Sequence, residues 1–413
     1  MKRNQFVKTI CAAAIAGVER STAARAPRIL LRSSWQVANI GDVAHTPGVL
    51  TLIERYIPDA EVRLWPSHVG HGVDEMLRRR FPKLQIVSGE EALARAFEEC
   101  DFLLHGSGPW LVAPTDVERW RTATGRPYGV YGISLPHEFI NPKVVGLLTA
   151  SRFVFFRDTV SMALARARGV ACPIMEFGPD GAFAADVRND AAAKSFLASH
   201  NLEPGRFACC IPRYRHAPGW RFQSVQRPVV PEREKRNQDM KEHDHAPLRE
   251  AIERVVGELK MKVLLCPEDE SQMALGKEML YDPLSAGVKS SVVWRESFWL
   301  TDEALSTYML SAGLFGNEMH SPIMCIGNGV PAIVCRWEEQ TSKGFMWRDI
   351  GLDDWLFSLD VPADLPRIAP AVVAMLRDPA GARKRAAAAR RIVTGRQKAT
   401  MAVLASELRR ISG

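Results

Sequence analysis

The sequence predicts an α/β protein in which two parallel-sheet domains face each other across a cleft. Its 413 residues are enough for two or three domains with separate cores. Short apolar runs rich in β-branched and aromatic residues alternate with amphipathic stretches, and this alternation pauses near residue 187 and restarts after residue 200. Strands that alternate with helices indicate βαβ units and a mostly parallel sheet covered on both faces.

The first domain is predicted to span residues 27–187. Helical periodicity appears between its strands, for example at Val49, Leu50 and Ile53. Asp158, followed three residues later by Ser161, predicts an N-cap for the helix after the sixth strand. The six apolar runs that predict strands lie at residues 29–32, 61–65, 84–87, 101–104, 128–132 and 153–156.

The second domain is predicted to span residues 188–380 and to open with a helix at about 189–200. Its strands are expected at residues 207–211, 263–266, 291–294, 313–315 and 332–334. Residues 213–245 depart from this rhythm, with three prolines, eight Lys or Arg, five acidic residues and three histidines. So long a connection is a functional lid or a disordered insertion, and a solvated loop explains it equally well.

The first 26 residues have the three parts of a secretory signal peptide. They begin with basic residues, continue with an apolar run at 9–18 and end in a small-x-small pattern at 24–26. Residues 3–8 also resemble a twin-arginine export signal, although Asn4 stands where the second arginine belongs. The leader favours export to the periplasm or cell envelope. The alternative is a cytoplasmic protein that keeps an amphipathic N-terminal segment.

Positive charge is concentrated at the two ends of the chain. The formal net charge is +7. Residues 1–26 hold five Lys or Arg and one Glu, and residues 381–413 hold nine Lys or Arg and one Glu. The body between them is therefore mildly acidic, and no nucleic-acid partner is expected. Residues 381–413 predict a basic C-terminal helix with one apolar face. That face is formed by Ile392, Val403, Leu404, Leu408 and Ile411.

The apolar and cysteine content excludes two further classes. No stretch approaches eighteen uncharged apolar residues, so no transmembrane segment is expected. The eight cysteines form no CxxC pair and several lie inside apolar runs, which argues against a zinc site and a disulfide framework. Buried reduced thiols are the better interpretation. The oligomeric state is left open.

Loops that follow predicted strands are the candidate ligand site of the first domain, because ligands of open α/β sheets bind at the carboxyl ends of the strands. After the first strand, Asn39 offers a donor and acceptors, and Gly41 permits the close approach of a ligand. Asp42 can bind a ligand or merely cap a helix that begins near Val43.

A second loop of the same domain, Gly106-Ser107-Gly108, follows the fourth strand. A Gly-x-Gly turn at the end of a strand fits contact with a phosphate or a sugar. It lacks the third glycine of the dinucleotide fingerprint, and the sequence contains no Walker loop.

Cationic residues follow three strands of the second domain. Arg213 and Arg215 come after the strand at 207–211, and arginine suits bidentate binding of carboxylate or phosphate. His320 and Ser321 open a helix after the strand at 313–315, where a histidine could hold or transfer a proton beside backbone amides that favour an anion. Lys343 follows the strand at 332–334. A lone histidine at a helix start is often only a surface residue, so the cluster is more informative than any member.

Taken in order, these motifs resemble the polysaccharide pyruvyl transferase family. The resemblance spans about residues 28–360, and the colinear order of short motifs carries it. They are Asn-Ile-Gly-Asp at 39–42, Asp-Phe-Leu-Leu-His-Gly-Ser-Gly at 101–108, Tyr-Gly-Ile-Ser at 131–134, Phe-Arg-Asp at 156–158, Gly-Pro-Asp-Gly-Ala-Phe at 178–183, His320-Ser321, Gly-Val-Pro-Ala at 329–332 and Lys343.

The resemblance implies two Rossmann-like domains in a glycosyltransferase-B-like arrangement, with a C-terminal helix that returns to the first domain. It also implies transfer of a pyruvyl group from phosphoenolpyruvate to sugar hydroxyls of a cell-surface glycan or its precursor, forming a ketal. Arg213 and Lys343 would hold the donor anion, with His320 as a phosphate contact or proton-transfer group. The loops at 39–42 and 106–108 would face the acceptor. No metal or further cofactor is expected.

Two features depart from the family. The family commonly has an arginine two residues before the histidine, where this chain has Glu318. Either Glu318 points away from the donor site, or Arg215 or Arg336 compensates for its negative charge, or the donor is not phosphoenolpyruvate. The export leader is the second departure, because phosphoenolpyruvate is a cytoplasmic metabolite. The alternatives are therefore a nucleotide-sugar glycosyltransferase that uses the same cleft and a non-catalytic exported glycan-binding protein.

Overall fold

The computed structural model describes residues 25–225 and 227–412 of the chain. Of the predicted signal peptide, only Arg25 and Ala26 belong to this part, so the leader prediction lies almost wholly outside the described residues. The described chain forms two parallel sheets covered by helices on both faces, with a separate core around each sheet. Two α/β domains of the predicted type are thereby confirmed.

The first sheet has seven strands in the order β3-β2-β1-β4-β5-β6-β7, and all its pairings are parallel. The six predicted strands are present, and β7 is an additional edge strand that the sequence pattern does not predict. The strands are β1 (Arg28–Ser33), β2 (Glu61–Pro66), β3 (Gln85–Ile86), β4 (Phe102–His105), β5 (Tyr128–Ile133), β6 (Val154–Phe156) and β7 (Met175–Phe177).

The second sheet repeats this plan with six strands in the order β10-β9-β8-β11-β12-β13, again all parallel. The five predicted strands are present, and the short edge strand β13 is not predicted. The strands are β8 (Phe207–Ile211), β9 (Lys262–Leu265), β10 (Val292–Trp294), β11 (Gly313–Gly316), β12 (Ala332–Arg336) and β13 (Leu356–Ser358).

Helices cover both faces of each sheet. They are α1 (Ile40–Tyr56), α2 (Val73–Arg80), α3 (Glu90–Glu99), α4 (Pro114–Thr124), α5 (Pro142–Ala150), α6 (Thr159–Ala167), α7 (Asp190–Ser199), α8 (Pro231–Leu259), α9 (Gln272–Gly276), α10 (Ala286–Lys289), α11 (Thr301–Leu310), α12 (His320–Gly327), α13 (Met346–Asp349), α14 (Leu365–Arg377) and α15 (Pro379–Ser412). As predicted, Asp158 caps α6, since its side chain accepts a hydrogen bond from the Ser161 amide.

The prediction of a loop through residues 213–245 is wrong for its second half, because α8 begins at Pro231. A proline is favourable in the first turn of a helix, where its missing N–H would have no intrahelical partner, so Pro231 starts the helix. The charged residues that suggest a solvated loop lie on a helix whose other face is buried through Leu248, Ile252 and Val255.

The start of α1 also differs from the prediction. The helix begins at Ile40, and its N-cap is Asn39, whose Oδ1 accepts hydrogen bonds from the amides of Gly41 and Asp42. Asp42 is therefore not the cap. It lies in the first helical turn, which leaves its carboxylate free to face the space between the domains.

Helix α15 connects the two cores. Ala386, Ala389 and Val393 are buried in the core of the second domain, whereas Met401, Leu404 and Leu408 are buried in the core of the first. The predicted apolar face is right at Leu404 and Leu408 but wrong at two positions, since Ile392 and Ile411 are exposed. The helix changes its packing partner along its length, so no single stripe is buried throughout.

The thiols agree with the prediction in the described residues. Six of the seven cysteines there are buried, Cys172 is half-buried, and none of the seven is in a disulfide. Within the described chain, no helix combines the length and apolar character that crossing a bilayer requires.

Candidate active site at the domain interface

The strand order places one crevice in each sheet where the ligand site is expected. The strand order of each sheet reverses between the first and fourth strands of its domain along the chain, which are β1/β4 and β8/β11. In a doubly wound sheet the loops diverge at this point, and ligands bind there at the carboxyl ends of the strands. The two crevices face each other. Asn39 and Asp42 follow β1 and Ser107 follows β4, while Arg213 follows β8 and His320 follows β11.

Backbone hydrogen bonds join the two domains at this point. The amide of Ile40 donates to the carbonyl of Glu268 at 2.9 Å, and the amide of Glu270 donates to the carbonyl of Ala38 at 3.2 Å. The Thr301 hydroxyl donates to the Ile40 carbonyl at 2.8 Å. The loop after β1 therefore lies directly against the loop after β9.

Gly41 allows helix α1 to meet helix α12. A β-carbon at Gly41 would overlap the β-carbon of His320. The group that approaches Gly41 in the structure is His320 of the other domain, and the approach of a ligand to Gly41 stays a prediction. This contact brings His320 next to Asp42 and His45.

The first domain contributes a closed hydrogen-bond network. His45 Nδ1 lies 2.8 Å from Ser107 Oγ and 2.9 Å from Asp180 Oδ1. Arg157 donates to Asp180 Oδ2 at 2.6 Å and to Ser134 Oγ at 2.9 Å, and all five side chains are buried. Burial alone would raise the pKa of Asp180, but His45 and Arg157 hold it well below its usual range.

The second domain contributes a less complete network around His320. Its Nδ1 lies 3.2 Å from Glu268 Oε1, and the other carboxylate oxygen of Glu268 accepts a hydrogen bond from the Ser321 amide at 2.6 Å. A carboxylate of the protein itself therefore occupies the Ser321 amide at the start of α12. Burial and the nearby Lys343 hold the pKa of His320 well below its usual value.

Lys343 is a half-buried cation without a carboxylate partner. Its Nζ lies 3.4 Å from His320 Nδ1, and within the described residues no carboxylate oxygen comes within 4.0 Å of it. Burial, together with the charges of Arg157 and Arg213, lowers the pKa of Lys343 to about 8. Three cationic side chains therefore act on the same space.

Glu318 points into the site, so the interpretation that it points away is wrong. Its Oε1 lies 2.9 Å from Arg213 Nε, an ion pair without hydrogen-bond geometry, and accepts a hydrogen bond from Gln272 at 2.7 Å. Burial raises the pKa of Glu318 to about 8, with Arg213 opposing this shift and Glu268 adding to it.

The arginines at 215 and 336 do not compensate for Glu318. Arg215 is buried in its own ion-pair cluster with Asp244, Glu339 and Asp360. Arg336 donates to the carbonyl of Thr341 and stacks over Phe345. Arg213 is the arginine that faces Glu318.

The other predicted substrate-binding residues have structural contacts. Gly106 and Gly108 are buried, and their amides donate to the carbonyls of Arg32 and Gly132. Ser107 lies between them and bonds to His45. Ser321 Oγ lies 3.1 Å from the hydroxyl of Tyr308. Contact of these residues with a substrate stays a prediction.

The family model of the polysaccharide pyruvyl transferases matches residues 39–339. The chain belongs to this family. It is therefore a transferase.

The fold of this family member is shared with nucleotide-sugar enzymes. A putative UDP-N-acetylglucosamine 2-epimerase from Listeria monocytogenes superimposes with a TM-score of 0.58 at 10% identity, covering 93% of this chain and 97% of the epimerase. Anabaena HepE in complex with UDP and glucose superimposes with a TM-score of 0.57 at 10% identity, covering 92% of this chain and 100% of HepE. No curated protein matches significantly. The transferase thus has a glycosyltransferase-B-like fold, as the resemblance implies.

Four residues at this candidate site are not predicted as site residues from the sequence: His45, Arg157, Asp180 and Glu268. Arg157 and Glu268 follow strands closely, so a systematic search of strand ends could have found them. His45 lies one helical turn after Asp42 and therefore on the same face of α1. Asp180 occupies a turn, and only the fold shows that this turn meets His45.

Proposed function

We propose that this transferase moves a pyruvyl group from phosphoenolpyruvate to two hydroxyls of one sugar in a cell-surface glycan or its precursor. One observation carries the proposal: Lys343, a half-buried cation with no carboxylate within 4.0 Å in the described chain, lies beside His320 at the point where the two sheets face each other. An unpaired ammonium group in such a place favours an anionic ligand. Family membership supports pyruvyl transfer as the reaction.

The reaction needs acid, base and cationic groups. One sugar hydroxyl adds to C2 of the enol and loses its proton, while C3 gains a proton and becomes a methyl group. The C2–O bond to phosphate then breaks, inorganic phosphate leaves, and the second hydroxyl bonds to C2 and loses its proton. Positioned side chains speed each proton transfer, and cations stabilise the carboxylate and the departing phosphate.

The residues of the second domain fit the donor. Lys343 and Arg213 hold its carboxylate and phosphate, and His320 contacts the phosphate or transfers a proton. Arg213 is 15% exposed and only partly engaged by Glu318, so its remaining N–H groups can turn to the donor. The acceptor enters from the first domain, where Asp42 faces the same space.

The test is turnover of the full chain with phosphoenolpyruvate and a panel of glycosides and nucleotide-linked sugars. Inorganic phosphate is measured by a colorimetric assay and the ketal by mass spectrometry of the acceptor. Phosphate release equal to the added pyruvyl groups is expected. Absence of both across a broad panel contradicts the proposal.

The structural similarity to UDP-bound proteins favours one other candidate, transfer from a nucleotide sugar. Thermal unfolding separates the two. Stabilisation by phosphoenolpyruvate and none by UDP supports pyruvyl transfer, and the reverse result supports a glycosyltransferase.

A further inference from the structure

We infer that Asp42, His45 and His320 bind a divalent first-row transition metal ion. The three side chains come from both domains, and each offers one ligand atom to a common point. These atoms, one carboxylate oxygen and two imidazole nitrogens, all lie within 4.8 Å of one another. This inference is an alternative to the expectation that the site binds no metal.

The distances leave a gap that no hydrogen bond fills. Asp42 Oδ1 lies 3.7 Å from His45 Nε2 and 4.0 Å from His320 Nε2, which is too far for hydrogen bonding. His45 and His320 are 0% and 2% exposed, and neither Nε2 has a hydrogen-bond partner among the described residues. Ligands about 2.0–2.2 Å from an ion sit roughly 3.0–3.5 Å apart, so small side-chain movements would close the triad.

The surroundings orient both imidazoles for metal binding. His45 Nδ1 faces Asp180 at 2.9 Å. His320 Nδ1 faces Glu268 at 3.2 Å and the Lys343 ammonium at 3.4 Å, so the carboxylate is the closer of its two contacts. A carboxylate that accepts the Nδ1 proton leaves the lone pair on Nε2, and this carboxylate–histidine arrangement is usual behind metal-ligating histidines. Asp42 is oriented as well, because its Oδ2 accepts a hydrogen bond from Gln36 while Oδ1 faces the two rings.

A bound cation would relieve the repulsion among the three ligand atoms of Asp42, His45 and His320. With both Nδ1 atoms protonated, two lone pairs and a carboxylate oxygen face one another, and this is unfavourable in a buried place. A proton on either Nε2 would be buried without an acceptor in hydrogen-bond range. A metal ion satisfies all three groups together.

The donor set selects the class of ion. Two imidazoles and one carboxylate suit zinc, cobalt, manganese or iron in the divalent state, whereas magnesium and calcium prefer oxygen ligands. Three protein ligands also leave open positions. If the proposed function holds, oxygens of the donor phosphate or carboxylate bind at these open positions. His320 then acts as a metal ligand, and its Nε2 transfers no proton.

The test measures metal binding without any donor. The full chain is treated with a chelator, desalted and titrated with Zn²⁺ by calorimetry and with Co²⁺ by visible absorption. One ion per chain and a ligand-field band for Co²⁺ are expected, with no comparable binding of Mg²⁺. X-ray absorption of the Zn²⁺ form should show two imidazoles, a readout that needs no variant.

Variants at the three ligands provide the second arm. Asp42→Asn, His45→Gln and His320→Gln should each weaken Zn²⁺ binding at least tenfold, and Asp180→Asn should weaken it about 10- to 100-fold through His45. His71→Gln, at an exposed histidine, is the matched control and should bind as the wild type does. Circular dichroism checks that each variant is folded.

The outcomes separate this inference from the proposed function. No stoichiometric Zn²⁺ binding by the wild type, no imidazole in the absorption spectrum, or wild-type affinity in the folded ligand variants would each overturn the metal site. Turnover with phosphoenolpyruvate in excess chelator would overturn the role of the metal in binding the donor while leaving pyruvyl transfer intact. Stoichiometric metal binding without turnover would support the metal site and contradict pyruvyl transfer.

Discussion

The two halves of the interface each hold a buried carboxylate beside an arginine, yet the two pairs differ. In the first domain, Asp180 accepts hydrogen bonds from Arg157, His45 and the Ala182 amide, and its pKa is held well below its usual range. In the second domain, Glu318 meets Arg213 without hydrogen-bond geometry, and burial raises its pKa to about 8.

This difference indicates which half is a scaffold and which half changes when a ligand binds. A fully hydrogen-bonded ion pair gains nothing from a ligand, whereas poorly matched buried charges are stabilised by one. The second domain holds poorly matched buried charges of this type. Lys343 has no carboxylate partner in the described chain, and Glu318 lies beside two other carboxyl groups, Glu268 and Asp269. Perturbed groups of this type often mark functional sites.

The largest effect is expected within the second domain, where two arginines two residues apart should behave differently. Arg215 is 1% exposed and paired with three carboxylates, so Arg215→Gln should lower the free energy of unfolding by about 3–5 kcal/mol. Arg213→Gln should cost about 1 kcal/mol of stability but weaken donor binding. Urea unfolding and calorimetry with phosphoenolpyruvate measure the two effects, and equal destabilisation by both variants would break the comparison.

Lys343→Gln should lower kcat/KM for phosphoenolpyruvate by about 10²–10³-fold, because a cation aimed at the developing phosphate charge is lost. Steady-state phosphate release measures this. Lys83→Gln removes an exposed lysine just before the start of β3, away from the carboxyl ends of the strands, and serves as the control. Unchanged kinetics in Lys343→Gln would show that the second half is not where the donor binds.

The contact between the halves is tested at Gly41. Gly41→Ala places a β-carbon against His320 and should destabilise the chain by about 1–3 kcal/mol through overpacking. Gly146→Ala is the matched control, since this exposed helical glycine has open space around its Cα and alanine should stabilise α5 by about 0.5–1 kcal/mol. Thermal unfolding that moves in the same direction for both would contradict the close approach.

The smallest effect is a pH dependence at Asp269. Burial and the neighbouring Glu318 raise its pKa from 3.8 to about 7, with Ser271 and Arg213 opposing the shift. A carboxyl group that binds its proton more tightly when folded stabilises the fold most below about pH 4, and this contribution is lost as the pH rises to about 7.

Asp269→Asn should remove this dependence and gain about 1 kcal/mol at pH 8 relative to the wild type, because the amide oxygen still accepts from Ser271. Melting temperatures between pH 5 and 8 measure the slope. Parallel slopes in wild type and variant would show that Asp269 is ionised throughout, as Asp180 is.

The sequence pattern is sufficient for the sheets and for part of the site. Alternating runs identify eleven of the thirteen described strands, and the rule that ligands bind at strand ends identifies Arg213, His320 and Lys343. The short edge strands β7 and β13 are not predicted from the sequence pattern. Residues 231–245 are mistaken for a loop because Pro231 looks like a helix breaker when it is in fact a helix start.

What the sequence by itself determines is local: which segments are strands, which side chains follow them, and which family the motifs resemble. Only the tertiary structure decides that Gly41 meets His320, that Glu318 turns inward to Arg213, and that Arg215 is held by Asp244 of α8. The first contact joins the two domains, whereas the other two join separate elements within the second domain. Periodicity and spacing along the chain carry no information about such pairs, because their energies depend on how separate helices, loops and sheets pack together.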